Sequence, residues 1–145
     1  MAGVSKGAAG EVLAARFLRK NGYRLLASNY RCRFGEIDII ASDDEYIAFV
    51  EVKTRAPDAL YAPREAVTAV KQERIRKTAL LYLQQYPTQL QPRFDVIEVT
   101  MAPGSLLQAQ KLEHLINAFY GSGYLCACLT CTVTPCMSVK HAVAL

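Results

Sequence analysis

The chain has 145 residues, 52% of them hydrophobic and 21% charged, with 17 Lys and Arg against 13 Asp and Glu for a net charge of +4. That balance excludes a disordered chain, and no run of about eighteen apolar residues exists to form a transmembrane helix. The length fits one domain with a real core, and the N-terminus lacks an apolar stretch long enough for a secretory signal, so a cytoplasmic protein without membrane association is expected.

Residues 5–21 read as a helix that Ser5 can cap and Gly22 ends. Val4, Ala8, Ala15 and Leu18 form its apolar stripe, Leu13 and Phe17 lie beside it, and Glu11 interrupts it. Residues 23–30 make a strand. The runs 36–41 and 46–53, rich in Ile, Val and Phe, are stronger strands, and the turn residues Ser42-Asp43-Asp44-Glu45 join them as a hairpin. A loop with Pro57 and Pro63 precedes a long helix from about Arg64 to Tyr86, stopped by Pro87. Residues 93–101 return as a strand, and a short helical piece over 111–119 closes the compact part. The order α-β-β-β-α-β predicts an α/β fold with a mixed sheet flanked by helices.

From Gly121 the composition shifts, with no acidic residue over 121–145, so this segment reads as an appendage to a domain over 1–120. Cys126, Cys128, Cys131 and Cys136 supply enough thiolates for zinc. Their crowding into eleven residues favours a poorly ordered extension instead, since a zinc ribbon separates its cysteine pairs by a longer loop. A protein-interaction role rests on that tail alone. Cys32 stands apart, so the cysteines do not form a disulfide framework. His114 and His141 show no ligand spacing and read as surface residues.

The chemistry concentrates in the hairpin. Asp38, Glu51 and Lys53 sit inside apolar runs, where charged residues are costly unless paired or bound to a metal. Strand alternation puts Asp38 with Ile40 on one face and Ile37 with Ile39 on the other, while Phe49, Glu51 and Lys53 share a face. A symmetric turn centred on Asp43-Asp44 sets Asp38 opposite Phe49 and makes Glu51 its diagonal neighbour, about 7–8 Å away at Cα. Two carboxylates converging in this way suit Mg²⁺ or Mn²⁺. Lys53 can then orient a water or stabilise charge on a phosphoryl group, and Glu11 can complete the ligand set from the first helix. The same pattern also fits an ordinary strand pair on a solvent face. Over 64–77, five basic residues (Arg64, Lys71, Arg74, Arg76, Lys77) stand against Glu65 and Glu73. Such a stripe is either a phosphate footprint or a solvated face of Glu–Arg pairs.

Gly7-x-x-Gly10-Glu11-x-x-Ala14, Asn29-Tyr30-Arg31, Gly35-Glu36-Ile37-Asp38-Ile39-Ile40, Phe49-Val50-Glu51-Val52-Lys53-x-Arg55, Lys71-Gln72 and Arg93-Phe94-Asp95-Val96 together resemble the YraN-like family of small bacterial proteins over about residues 4–120. That family is assigned to the PD-(D/E)xK nuclease superfamily and is similar to archaeal Holliday-junction resolvases. The resemblance implies a restriction-endonuclease-like αβββαβ core, Asp38 and Glu51 as metal ligands, Lys53 as the catalytic lysine and Glu11 as an accessory ligand. It implies that Gln72 projects toward the site from the long helix, and that Arg55, Arg64, Lys71, Arg74 and Lys77 contact phosphates. Glu36 belongs to the motif and, in the symmetric register, lies opposite Glu51. It is either a competing ligand or a residue bonding the loop backbone near Gly35. The implied activity is a Mg²⁺- or Mn²⁺-dependent endonuclease acting on branched or duplex DNA, a homodimer by analogy with resolvases. The alternative is a nucleic-acid-binding module on a nuclease fold without turnover.

Overall fold

A computed structural model describes residues 5–58, 67–105 and 107–119. Ser5 caps α1 (Lys6–Lys20), its hydroxyl accepting from the Ala8 N–H at 3.2 Å, and Gly22 makes the exit at φ +86°, where a glycine is unstrained. β1 (Arg24–Cys32), β2 (Gly35–Ser42) and β3 (Tyr46–Arg55) follow, then α2 (Ala69–Gln85), β4 (Gln91–Met101) and β5 (Ala109–Leu115). The strands form one sheet in the order β1-β2-β3-β4-β5. All pairs are antiparallel except β3–β4, which is parallel because the connection through α2 carries the chain back to its starting end. α1 packs one face, over Ile39, Ala41, Ala48, Val50 and Ile97. α2 packs the other, over Ile40, Ile47, Phe49, Phe94 and Val96. The mixed sheet flanked by helices is therefore as expected, and no helix among the described residues is long and apolar enough to cross a membrane.

Several details differ from the sequence reading. The face that α1 buries is Ala9, Gly10, Ala14 and Leu18, with Ala8 exposed and Glu11 at the margin of that face. Close approach selects it: a Cβ on Gly10 would lie 1.9 Å from Thr54 Oγ1, so only glycine lets the helix sit this near β3. α2 begins at Ala69 instead of Arg64, because the Thr68 side chain accepts from the Lys71 N–H and ends the extended approach there. Residues 59–66, including Arg64, lie outside the described residues, as do Cys126, Cys128, Cys131, Cys136 and His141.

Residues 109–115 form a strand, not the helical piece expected over 111–119. Leu112 and His114 point inward while Lys111 and Glu113 are partly exposed, which is the two-residue period of a strand. His114 is correspondingly not a surface residue. It is 4% exposed, with Nε2 2.8 Å from Asp95 Oδ2.

The hairpin register also differs. Ile39 pairs with Val50, Ile40 with Phe49 and Ser42 with Ile47, so the turn is centred on Asp44-Glu45 and the pairing is two residues away from the symmetric expectation. Asp43 fixes it, with Oδ1 accepting from the Glu45 and Tyr46 N–H groups at 2.9 and 2.7 Å. A shift of two keeps the paired residues Ile39, Ile40, Phe49 and Val50 on their expected faces, whereas a shift of one would have inverted them.

Candidate active site

Asp38 lies where the β2–β3 ladder stops. The last paired residues are Ile39 and Val50, and beyond them the Val52 N–H donates to Asp38 Oδ2 at 2.8 Å, in place of a backbone carbonyl. Alternation breaks at the same level. Ile37 and Ile40, three residues apart, both pack in the α2-side core while Ile39 packs toward α1, contrary to the simple face assignment. Across the β1–β2 ladder, Ser28–Ile39 and Tyr30–Ile37 bracket Asn29 opposite Asp38. Asn29 has φ +52°, a conformation asparagine tolerates better than most residues, and Ser28 and Asn29 are consecutive exposed positions in an otherwise alternating strand.

This irregularity recruits the first helix. Asn29 Nδ2 donates to Glu11 Oε2 at 3.0 Å, and Gly10 has already brought that turn of α1 against Thr54. From the other side, the α2 ammonium of Lys71 pairs with Glu51 Oε1. Glu51 is 6% exposed, so its charge is almost wholly withdrawn from water. Asp38 records the convergence electrostatically. Burial, then the charge of Glu51 and to a smaller degree that of Glu11, push its carboxyl up to about 7, against the opposing pull of the Val52 N–H and Lys71. Groups from α1, β2, β3 and α2 thus act on one point.

The remaining candidates are placed as follows. Lys53 is half-buried two residues beyond Glu51, in register with Glu98 of β4. Arg55 pairs with Glu98 at 3.3 Å and is 15% exposed, so its guanidinium is committed to the protein in this structure. Gln72 is engaged at both ends of its amide, donating to the Val67 carbonyl and accepting from Arg76, each at 2.9 Å. Glu36 is exposed and pairs with Arg31 at 3.0 Å; in the observed register it no longer lies opposite Glu51. Arg74 and Lys77 are exposed on α2, with Lys77 3.7 Å and Arg76 3.4 Å from Glu73, the ion pairs expected of a solvated face.

Two roles are not legible in the sequence pattern. Lys71, expected on a phosphate-facing stripe, pairs with Glu51 in this structure. Glu98, 6% exposed and paired with Arg55, interrupts the apolar run Val96-Ile97-Glu98-Val99 in the way Asp38 and Glu51 interrupt theirs.

Among the described residues, no group of three or more His, Cys, Asp and Glu is placed to hold a metal ion by itself. The donor set still suits a hydrated divalent ion. Mg²⁺ keeps several waters and is satisfied by one or two carboxylates, and here the half-buried Asp38, beside the buried Glu51, resists ionisation through its burial and the Glu51 charge. A cleft of about 620 Å³ lies elsewhere, between Tyr23, the acidic turn Asp43–Glu45, Tyr46 and Arg93, at the start of β3 and β4. Asp38, Glu51 and Glu11 are not among the residues that line it.

A family model described as "Uncharacterised protein family UPF0102" matches residues 10–99. The chain is 56% identical over 115 residues to a UPF0102 protein of Nocardia farcinica, covering 78% of this chain and 87% of that one. It is 46% identical over 114 residues to one of Caldanaerobacter subterraneus subsp. tengcongensis, covering 78% and 93%. Against a UPF0102 protein of Geobacter metallireducens the identity is 45% over 116 residues, covering 79% and 92%.

Proposed function

The chain belongs to the uncharacterised protein family UPF0102, and from that premise we propose that it is a metal-dependent endonuclease hydrolysing DNA phosphodiester bonds, acting on branched or junction DNA. One observation carries the reading. Asp38, Glu51 and Glu11 come together from three elements where the β2–β3 ladder ends, and burial first, then the charges of Glu51 and Glu11, push the Asp38 carboxyl up to about 7, a crowding that a divalent cation would relieve. The similarity of the motif set to PD-(D/E)xK nucleases and junction resolvases supports the same chemistry.

Asp38 and Glu51 would hold Mg²⁺ or Mn²⁺, with Glu11, positioned by the Asn29 amide that donates to it, as accessory ligand. When bound, such an ion lowers the pKa of water and offsets phosphate charge. Lys53 follows Glu51 along the strand and can orient the attacking water or hold the charge that develops on the phosphoryl oxygens. The exposed Arg74 and Lys77 on α2 would grip the DNA backbone without reading sequence. A homodimer fits a junction with two scissile strands.

The Lys71–Glu51 pair favours a second reading, a nucleic-acid-binding protein without turnover, because a cation of the chain itself neutralises Glu51. Purified protein with Mn²⁺ or Mg²⁺ on four-way junction, flap and linear duplex DNA separates the two. The nuclease reading expects cleavage that falls at least about 100-fold in Glu51→Ala and Lys53→Ala. Binding by all three proteins, with no cleavage of any substrate by the wild type, rejects it.

A further inference from the structure

Lys71 has an anchored backbone and a half-exposed side chain. Its backbone N–H is bonded to the Thr68 hydroxyl at 3.3 Å in the first turn of α2, while its side chain is 51% exposed. Glu51, its partner, is 7% exposed at the side chain. The two partners therefore stand in different positions. An ionised carboxylate at that depth is costly without a cation, whereas a half-exposed ammonium on a four-carbon stem is well solvated by itself. The pair serves Glu51.

Its location matters as much as its strength. Nζ bonds Oε1, an oxygen that a divalent ion bound by Glu51 would also seek. Lys53 is the lysine that the sequence pattern nominates for chemistry, yet it stands in register with Glu98, while Lys71 reaches the carboxylates from a different element.

We propose that Lys71 is the resident counter-ion of the carboxylate centre: it occupies the cation position at Glu51 in the metal-free protein and must release Glu51 for a divalent ion to bind. The proposal rests on the metal-site reading above and adds a residue that sets the affinity of that site. Lys71 has two opposed effects, stabilising the metal-free fold and competing with the metal. Both trace to the single Nζ–Oε1 contact, so they disappear together when Glu51 can no longer carry charge.

Two measurements test it, neither using cleavage. Mn²⁺ affinity is measured by titration calorimetry on the intact wild type, Lys71→Met and Lys71→Arg, without DNA. Lys71→Met keeps the apolar stem and is expected to bind Mn²⁺ about 10-fold more tightly than wild type, with Lys71→Arg no tighter than wild type. Unchanged or weaker binding by Lys71→Met overturns the proposal while leaving the metal site standing. Absence of Mn²⁺ binding in all three proteins overturns the metal-site reading as well. The second measurement is the thermal midpoint in EDTA for Lys71→Met alone, Glu51→Gln alone and the double variant. Lys71→Met is expected to lower the midpoint in the wild-type background and to leave it unchanged in Glu51→Gln. An equal loss in both backgrounds shows a role apart from Glu51 and rejects the proposal.

Discussion

Asp38 is held in a state that costs the fold stability at neutral pH. Its carboxyl titrates at about 7 in the folded protein against 3.8 as the unperturbed value, so the folded chain binds this proton more tightly than the unfolded chain does. A raised folded value contributes stability that is fully present below the unfolded value and is lost as pH rises through about 7. Metal-free protein in EDTA should therefore be less stable at pH 8 than at pH 5.5, by about 1 kcal/mol once solvent screening is taken off the full linkage value of roughly 2 kcal/mol. Asp38→Asn keeps an acceptor for the Val52 N–H, and it should flatten this dependence and stabilise the metal-free protein at pH 8 while abolishing metal-dependent cleavage. Chemical denaturation at the two pH values checks the first point; a variant as pH-sensitive as wild type counts against the carboxylate coupling. At this scale the sequence disclosed Glu11, Asp38 and Glu51 because each is a charge inside an apolar run. Lys71 gave no such signal, since its neighbours along α2 are charged too and only the fold shows which one turns toward Glu51.

Among the elements, α1 and the β2–β3 hairpin decide whether the carboxylates meet. Gly10 permits the helix to approach Thr54, and Glu11 is the next residue, so packing and site placement are one event. Gly10→Ala should cost about 1–3 kcal/mol, because a β-branched neighbour in a strand gives way poorly. Thr54→Ala in the same chain should recover part of the loss, since it removes the Oγ1 that the new methyl would strike. A double-mutant cycle by denaturant unfolding measures the recovery, and additive losses would refute the contact. The periods of the strands and of α1 were legible, as was the phase of the hairpin over its paired residues, but the face that α1 buries was not. The register was not, because Asp43 caps the turn and moves its centre toward Glu45. The strand β5 was mistaken for a helix because its short run holds only two inward residues, one of them a histidine.

Across the whole molecule, a buried polar clasp ties β4 to β5 and to the chain entering β1. Arg93 donates to Asp95 and to the Tyr23 hydroxyl, and His114 and the Asn117 N–H complete the Asp95 shell. Burial would raise the Asp95 carboxyl, but the bonds from His114 and Arg93 outweigh it and hold it low. Its contribution is present above the unfolded value of 3.8 and is lost as pH falls through the folded one, opposite in sign to Asp38. Asp95→Asn leaves Arg93 buried without its counter-charge and should cost about 3–5 kcal/mol at pH 7, read from urea unfolding. A loss below 1 kcal/mol, about the value of a surface pair, would mean that the clasp is not coupled. The sequence by itself determined the α/β order as far as β4, the family and the charges that do not belong in a core, because hydrophobic period and misplaced charge are local properties. Only the tertiary structure decided that Asn29 ties Glu11 to the site, that Glu51 is held by Lys71, and that Arg93, Asp95 and His114 form one buried unit. Those outcomes depend on which side chains from distant segments share a small volume, and that is fixed by register, close helix approach and burial together.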